Sequence, residues 1–244
     1  MKSVALLEVK EVVKRFGGVT AVQGISFSVQ EGEIFALIGP NGSGKTTLFN
    51  LMTGVFPPTS GSIYFLDQRI DGWPTHKIIS LGMGRTFQVV RPLKRMSVLD
   101  NVMVGAFLHT SDMREARTLS LQVLEETGLI DRANEEARSL PIALRKRLEI
   151  ARALATRPKL LLLDEVAAGL NSKEVEKVME LMVEVNRRGT TIILVEHVMK
   201  VVLGVATRAL AINFGRPIAE GSPREVVRHP EVITAYLGER HAAH

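Results

Sequence analysis

The chain has 244 residues, enough for one large domain or two small ones around a well-buried core, with 45% hydrophobic and 23% charged residues. It has no cysteine, which excludes disulfides and thiolate metal sites. Its net charge of +5 is spread over scattered basic groups with few aromatics among them, unlike a base-stacking surface, and reads as solvated surface with some affinity for acidic partners or anionic headgroups.

Taken in chain order, the N-terminal apolar run at 4–7 is too short for a secretory leader. Residues 6–13 and 25–29 alternate apolar and polar side chains and predict antiparallel strands, with Gly17-Gly18 and Glu31-Gly32 as turns. Residues 35–38 form an unbroken apolar run, as a strand buried on both faces requires, and feed a glycine-rich loop and a helix over 46–51. From about 89 to 157 the strand pattern gives way to helices. Ser97 caps a helix over 98–108, a periodic segment over 112–127 ends at Gly128, and an amphipathic helix over 144–155 stops before Pro158.

Leucines 160–163 predict a second buried strand ending in Asp164-Glu165. Asn171, with Glu174 three residues on, opens a helix running to about Arg187. A third buried strand over 190–195 ends in Glu196-His197, and Ser222-Pro223-Arg224-Glu225 is a capping box with proline at the first helical position. The apolar stretch at 201–212, broken by Arg208, falls short of the roughly 18 residues that cross a bilayer, so a cytoplasmic chain is expected. The fold class is α/β: a parallel sheet with crossover helices, an antiparallel β subdomain and an inserted helical subdomain. One domain is expected over 1–244, with its core in 1–88 and 158–244 and the helical part in 89–157.

Gly39-Pro40-Asn41-Gly42-Ser43-Gly44-Lys45-Thr46 satisfies G-x-x-x-x-G-K-[ST] between a buried strand and a helix. Glycines let successive backbone N–H groups curl around a β-phosphate, and the helix N-terminus adds positive potential. Lys45 is expected to reach the β- and γ-phosphates, the Thr46 hydroxyl to ligate Mg²⁺, and Thr47 to complete the nucleotide-binding set. Asp164, emerging from its strand beside the loop, is placed to hold the hydrated metal. Glu165 is placed to orient and polarise an attacking water. No Asn-Lys-x-Asp guanine motif occurs.

Three further residues narrow the class by their order around this loop: Phe16 after the first strand, Gln88 in Arg85-Thr86-Phe87-Gln88, and His197 after the third buried strand. That order resembles the ATP-binding cassette family over nearly the whole chain. The resemblance implies ATP and Mg²⁺ as ligands, Phe16 stacking on the base, and Gln88 sensing the metal and a membrane subunit. It makes His197 the switch histidine, catalytic with Glu165, Gln88 and Lys45, and Ala168-Gly169-Leu170-Asn171 the loop that crosses to a second subunit.

Within the family the chain is similar to the ATPase subunits of branched-chain amino acid uptake systems, through Arg85-Thr86-Phe87-Gln88, Asp164-Glu165-Val166-Ala167-Ala168-Gly169-Leu170-Asn171 and Glu196-His197-Val198-Met199. Val166 stands where a proline is usual and Val198 where an aspartate is. The family's signature Leu-Ser-Gly-Gly-Gln is replaced by Leu140-Pro141-Ile142-Ala143-Leu144, losing the serine hydroxyl. The resemblance therefore implies an importer ATPase on the inner face of the cell membrane, working with two transmembrane permease subunits and indirectly with a substrate-binding protein. It implies an ATP-sandwich dimer; the missing signature serine points to a second, different ATPase subunit that carries a complete signature, the alternative being that the backbone N–H groups of Ala143 and Leu144 suffice. Branched-chain or related amino acids are the expected cargo, and another small polar solute such as urea or an amide is the alternative. A soluble cassette acting on nucleic acid is disfavoured by the single cassette and the absence of a heptad run, and no nucleic-acid partner is expected.

Overall fold

The structure, a computed structural model, describes residues 5–86 and 92–241. It opens with a long hairpin, β1 (Ala5–Phe16) and β2 (Val19–Gln30), paired antiparallel from Ala5 opposite Gln30 to Phe16 opposite Val19. Alternation turns Leu7, Val9, Val12, Ile25, Phe27 and Val29 inward. Both strands run longer than the alternating segments alone predict, and Phe16 is the last residue of β1 rather than the one after it. Every residue of β3 (Ile34–Ile38) is buried, and the chain passes from it through the glycine-rich loop into α1 (Lys45–Met52). β4 (Ser60–Phe65) and β5 (Gln68–Arg69) complete a four-stranded antiparallel sheet in the order β2-β1-β4-β5. α2 (Thr75–Ser80) and the short β6 (Met83–Arg85) follow.

α3 (Val98–Ala106), α4 (Met113–Glu126) and α5 (Ile142–Leu154) bury a cluster of their own around Leu99, Val102, Leu124 and Leu148. Ser97 and Asp112 cap the first two through their side chains, each accepting backbone N–H bonds of the first turn. α5 begins two residues earlier than its amphipathic pattern implies. Pro141 is its N-cap, a position where a missing N–H costs nothing, and the Arg145 N–H closes the first turn on the Pro141 carbonyl at 3.0 Å.

The second half adds β7 (Leu160–Asp164), α6 (Ser172–Arg187), β8 (Thr191–Val195), α7 (Met199–Val205), β9 (Arg208–Asn213), β10 (Arg216–Gly221), α8 (Pro223–Arg228) and α9 (Pro230–His241). The capping boxes at Asn171 and Ser222 both form. The apolar stretch at 201–212 divides between α7 and β9, where the Thr207 N–H bonds to the Ile34 carbonyl at 2.8 Å and draws the chain back to the sheet edge.

A six-stranded sheet has the order β10-β9-β3-β8-β7-β6, with β3 parallel to both β8 and β9. The period of two sorts each buried strand into two cores. Phe35, Leu37, Leu160, Leu162, Ile193 and Val195 face the antiparallel sheet and α1. Ile34, Ala36, Ile38, Leu161, Leu163 and Leu194 face α6 and α7. Each large aliphatic side chain buried this way contributes about 1.5–3 kcal/mol, which is why these strands read as continuous apolar runs. Among the described residues no helix is long and apolar enough to cross a membrane.

Candidate active site

The loop between β3 and α1 folds where only glycine fits. Gly39 has a φ of 152°, and a Cβ there would lie 2.1 Å from the Ile212 carbonyl oxygen. Gly44, with φ 108°, would put a Cβ 2.6 Å from the carbonyl oxygen of Ala21 on β2. The loop is thus pressed against both β9 and the first hairpin. The buried Lys45 curls back over it, its Nζ donating to the carbonyls of Gly39 at 2.6 Å and Pro40 at 2.7 Å. Ser43 is buried beneath it, Asn41 and Gly42 are exposed at its tip, and Thr46 is exposed at the start of α1 with Thr47 half-buried beside it. α1 opens at its N-cap Gly44 with no side-chain cap, as a helix N-terminus suited to an anion does.

At the end of β7, Asp164 is buried, and its Oδ2 meets Arg85 Nη2 at 3.3 Å. Arg85 is held in turn by Asn50 Oδ1 at 2.7 Å and Thr53 Oγ1 at 3.0 Å, with its guanidinium over the Phe49 ring. Burial pushes the Asp164 carboxyl above its usual range against the pull of Arg85, and lowers the Arg85 guanidinium against the pull of Asp164. Asp164 Oδ1 is buried and takes no hydrogen bond among the described residues. It lines a cavity of about 950 Å³ together with Thr46, Asn50, Arg85 and Glu149, whose outer wall is the apolar Val104, Phe107 and Leu108 of the α3 region.

Glu165 follows in the left-handed region, with φ 49°, and its Oε1 lies 3.8 Å from His197 Nδ1. The two residues expected to act together are therefore brought together, each just beyond the carboxyl end of a buried strand. Phe16 ends β1, nearly half exposed, and meets Phe56 edge-on at 5.2 Å with Lys14 Nζ near both rings. Gln88 and Arg91 lie outside the described residues; of the adjoining segment, Leu93, Lys94 and Arg95 are exposed.

Sequence reasoning missed four residues around this centre. They are Arg85 against Asp164; Lys146, whose Nζ donates to the Glu165 carbonyl at 2.9 Å; Glu196, which accepts the Ala167 N–H at 2.8 Å; and Tyr236, whose hydroxyl accepts the Gly39 N–H at 2.9 Å. Glu196 and Arg85 stand inside the Glu196-His197-Val198-Met199 and Arg85-Thr86-Phe87-Gln88 motifs, so a charge beside each strand end is the available signal. Lys146 and Tyr236 carried none.

The chain matches the family model of the ABC transporter over residues 22–168, and that of the branched-chain amino acid ATP-binding cassette transporter over 216–242. It is 44% identical to the high-affinity branched-chain amino acid transport ATP-binding protein LivG of Salmonella typhimurium, over 96% of this chain and 98% of that protein. Among solved structures it is similar to a nucleotide-free ATP-binding cassette from an ABC transporter, with TM-score 0.88, 30% identity and coverage of 96% and 99%. It is also similar to a dimeric cassette in a post-hydrolysis state bound to ADP and phosphate, with TM-score 0.81, 26% identity and coverage of 89% and 99%. A glycine-cradled phosphate loop beside a buried Asp-Glu strand end, on a sheet shared with those cassettes, makes this chain a member of the ABC transporter family, an ATP-binding cassette ATPase.

Proposed function

We propose that this chain hydrolyses Mg²⁺-ATP to energise uptake of branched-chain or related amino acids. The observation that carries the catalytic part is the convergence of Lys45, Thr46, Asp164, Glu165 and His197 at one end of the sheet. The strained glycines and the uncapped start of α1 suit the polyphosphate. The residues present also suit the metal: Thr46 and Asp164 share one cavity, and the buried Asp164 Oδ1 is an acceptor with no donor among the described residues. Thr46 and Asp164 would hold Mg²⁺, with Gln88 as a further ligand from the family pattern; bound there, the ion would neutralise charge on the β- and γ-phosphates.

Lys45 exchanges its two loop carbonyls for phosphate oxygens. Glu165 takes the proton of the attacking water, and His197, whose Nδ1 lies 3.8 Å from Glu165 Oε1, contacts the γ-phosphate. Phe16 stacks on the base. The cargo reading rests on the match at 216–242 and the likeness to LivG.

The chain works as one half of an ATP-sandwich dimer that serves two permease subunits. The surface around Gln88 and residues 91–96 docks a cytoplasmic helix of one of them, with the apolar Val104, Phe107 and Leu108 as a further candidate contact. The other ATPase subunit is a different chain. At the signature position this one offers a proline N-cap with no side-chain hydrogen bond, and an exposed Ile142. The helical part over 89–157, with its separate core, carries that peptide.

Glu165→Gln tests the catalytic assignment. Nucleotide binding and ATP-dependent dimerisation are retained while turnover is nearly abolished; hydrolysis at the wild-type rate would remove Glu165 from the reaction. For the cargo, uptake of labelled leucine should fall on deletion of the gene. Loss of urea or amide uptake with leucine uptake intact overturns the amino-acid reading.

A further inference from the structure

Glu165 adopts a backbone conformation that L residues other than Asn and Asp rarely take, with φ 49°. Such strain persists only where the surroundings over-determine it. Three contacts do so. The Glu165 N–H donates to the Val195 carbonyl at 2.9 Å, its carbonyl accepts the Ala168 N–H at 3.2 Å, and the same carbonyl accepts Lys146 Nζ at 2.9 Å. The first two come from the sheet and from the following turn. The third comes from α5, the helix whose N-terminus is the signature-position peptide, little more than one turn away.

Lys146 is 7% exposed, an unusual place for an ammonium. It shares this interior with the fully buried Glu196, which accepts the Ala167 N–H through Oε1, while Oε2 has no hydrogen-bond partner among the described residues. Burial draws the Lys146 ammonium below its ordinary range, and the charges of Glu196 and Glu165 act against that. A buried cation and a buried carboxylate thus grip consecutive peptides of one loop.

We propose that Lys146 is a positioning residue: it ties α5 to the Glu165 peptide, with Glu196 as its buried counter-charge, so that the signature-position peptide and the Glu165 carboxylate move as one body. The inference rests on the reading of Glu165 as the group that activates water, and of the 140–144 peptide as the one facing the partner's nucleotide. A shift of α5 made when that peptide engages the other subunit then reaches Glu165 directly through a single hydrogen bond. ATP held by the partner thereby adjusts the carboxylate that serves this chain's own ATP.

The test is steady-state hydrolysis and nucleotide binding by the full chain together with its partner ATPase, comparing wild type with Lys146→Met, Lys146→Arg and Glu165→Gln. Lys146→Met should lower kcat by about tenfold or more, the worth of a charge-assisted hydrogen bond, while leaving KM and fluorescent-ATP affinity nearly unchanged. Lys146→Arg, which restores a cationic donor, should recover most of the turnover. A residue serving the fold alone would move KM, affinity and melting temperature together and would not be rescued selectively in kcat. If Lys146→Met does not fold, Lys146→Gln, which keeps an N–H donor, takes its place with the same expectation of a kcat loss. Full turnover in Lys146→Met with Glu165→Gln inactive overturns the coupling and leaves the Glu165 reading standing. Full turnover in Glu165→Gln overturns the Glu165 reading, and the coupling with it.

Discussion

The hydroxyl of Tyr236, on the last helix, accepts the N–H of Gly39, the first residue of the phosphate loop, at 2.9 Å. The helix α9 lies in the segment shared with branched-chain cassette transporters, so this bond joins that segment to the proposed nucleotide site. Tyr236→Phe keeps the ring packed and removes the hydroxyl that accepts the Gly39 N–H. A hydrogen bond of this kind contributes about 0.5–1.5 kcal/mol, so nucleotide affinity should weaken by about two- to tenfold with the fold intact. Titration with a fluorescent ATP analogue alongside a thermal melt reads both quantities, and unchanged affinity would leave Tyr236 a packing residue.

Lys45 donates to two loop carbonyls and is proposed to reach the phosphates of the nucleotide. Lys45→Ala should lose nucleotide affinity itself, by about tenfold to a hundredfold, since a charged hydrogen bond contributes roughly 1.5–3 kcal/mol. Glu165→Gln, by contrast, should still bind. Equal affinity in Lys45→Ala and wild type, measured by equilibrium dialysis, would contradict the assignment.

Phe16 offers a π-face and Phe56 supports it edge-on. Stacking reads little of a base's edge, so ATP and GTP should bind with similar affinity, and Phe16→Ala should weaken both by about 1–3 kcal/mol. Competition of the two nucleotides against one probe is the measurement. A selective loss of ATP alone would mean that something other than stacking reads the adenine.

The signature position predicts low activity for the isolated chain. Pro141 caps α5 without a side-chain bond, so a homodimer would lack a γ-phosphate hydroxyl donor at both composite sites. Introducing Pro141→Ser with Ala143→Gly should raise ATP hydrolysis and ATP-dependent dimerisation, read by light scattering. A wild type already fully active alone, with no gain in the double variant, would show that the bare helix N-terminus suffices.

Glu196 predicts a pH dependence of stability. Burial raises its carboxyl above the ordinary glutamate range, opposed by the Ala167 N–H bond and the nearby His197 and Lys146. The folded chain therefore holds this proton more tightly than the unfolded chain does. Stability of the wild type relative to Glu196→Gln should fall as pH rises from the unfolded glutamate value through the folded one, and level off outside that window. Urea unfolding of both proteins between about pH 4 and pH 8 gives the difference, and a slope of opposite sign would mean the carboxylate is net stabilised where it sits.

Much of this site was legible because its requirements are local. A β-phosphate cradled by backbone N–H groups needs closely spaced glycines between a strand and a helix, and Gly39, Gly42 and Gly44 fall within six residues. A strand covered on both faces must be an apolar run, which marked β3, β7 and β8 and placed Asp164, Glu165 and His197 at their ends. Capping boxes at Asn171 and Ser222 are likewise complete within four residues and were readable as written. β10 was not legible in this way, because an outer strand with no buried residue has no apolar run and only weak alternation.

Contacts across the chain were the tertiary structure's to decide. Arg85 and Asp164 are 79 residues apart, Gly39 and Tyr236 are 197 apart, and Lys146 is 19 from Glu165. No local propensity selects such partners. They meet because β6 pairs beside β7, because α9 packs back on the sheet near the end of β3, and because α5 crosses the end of β7. A buried charge is tolerated only where packing delivers its partner, so these pairings become visible only once the layers have closed around them.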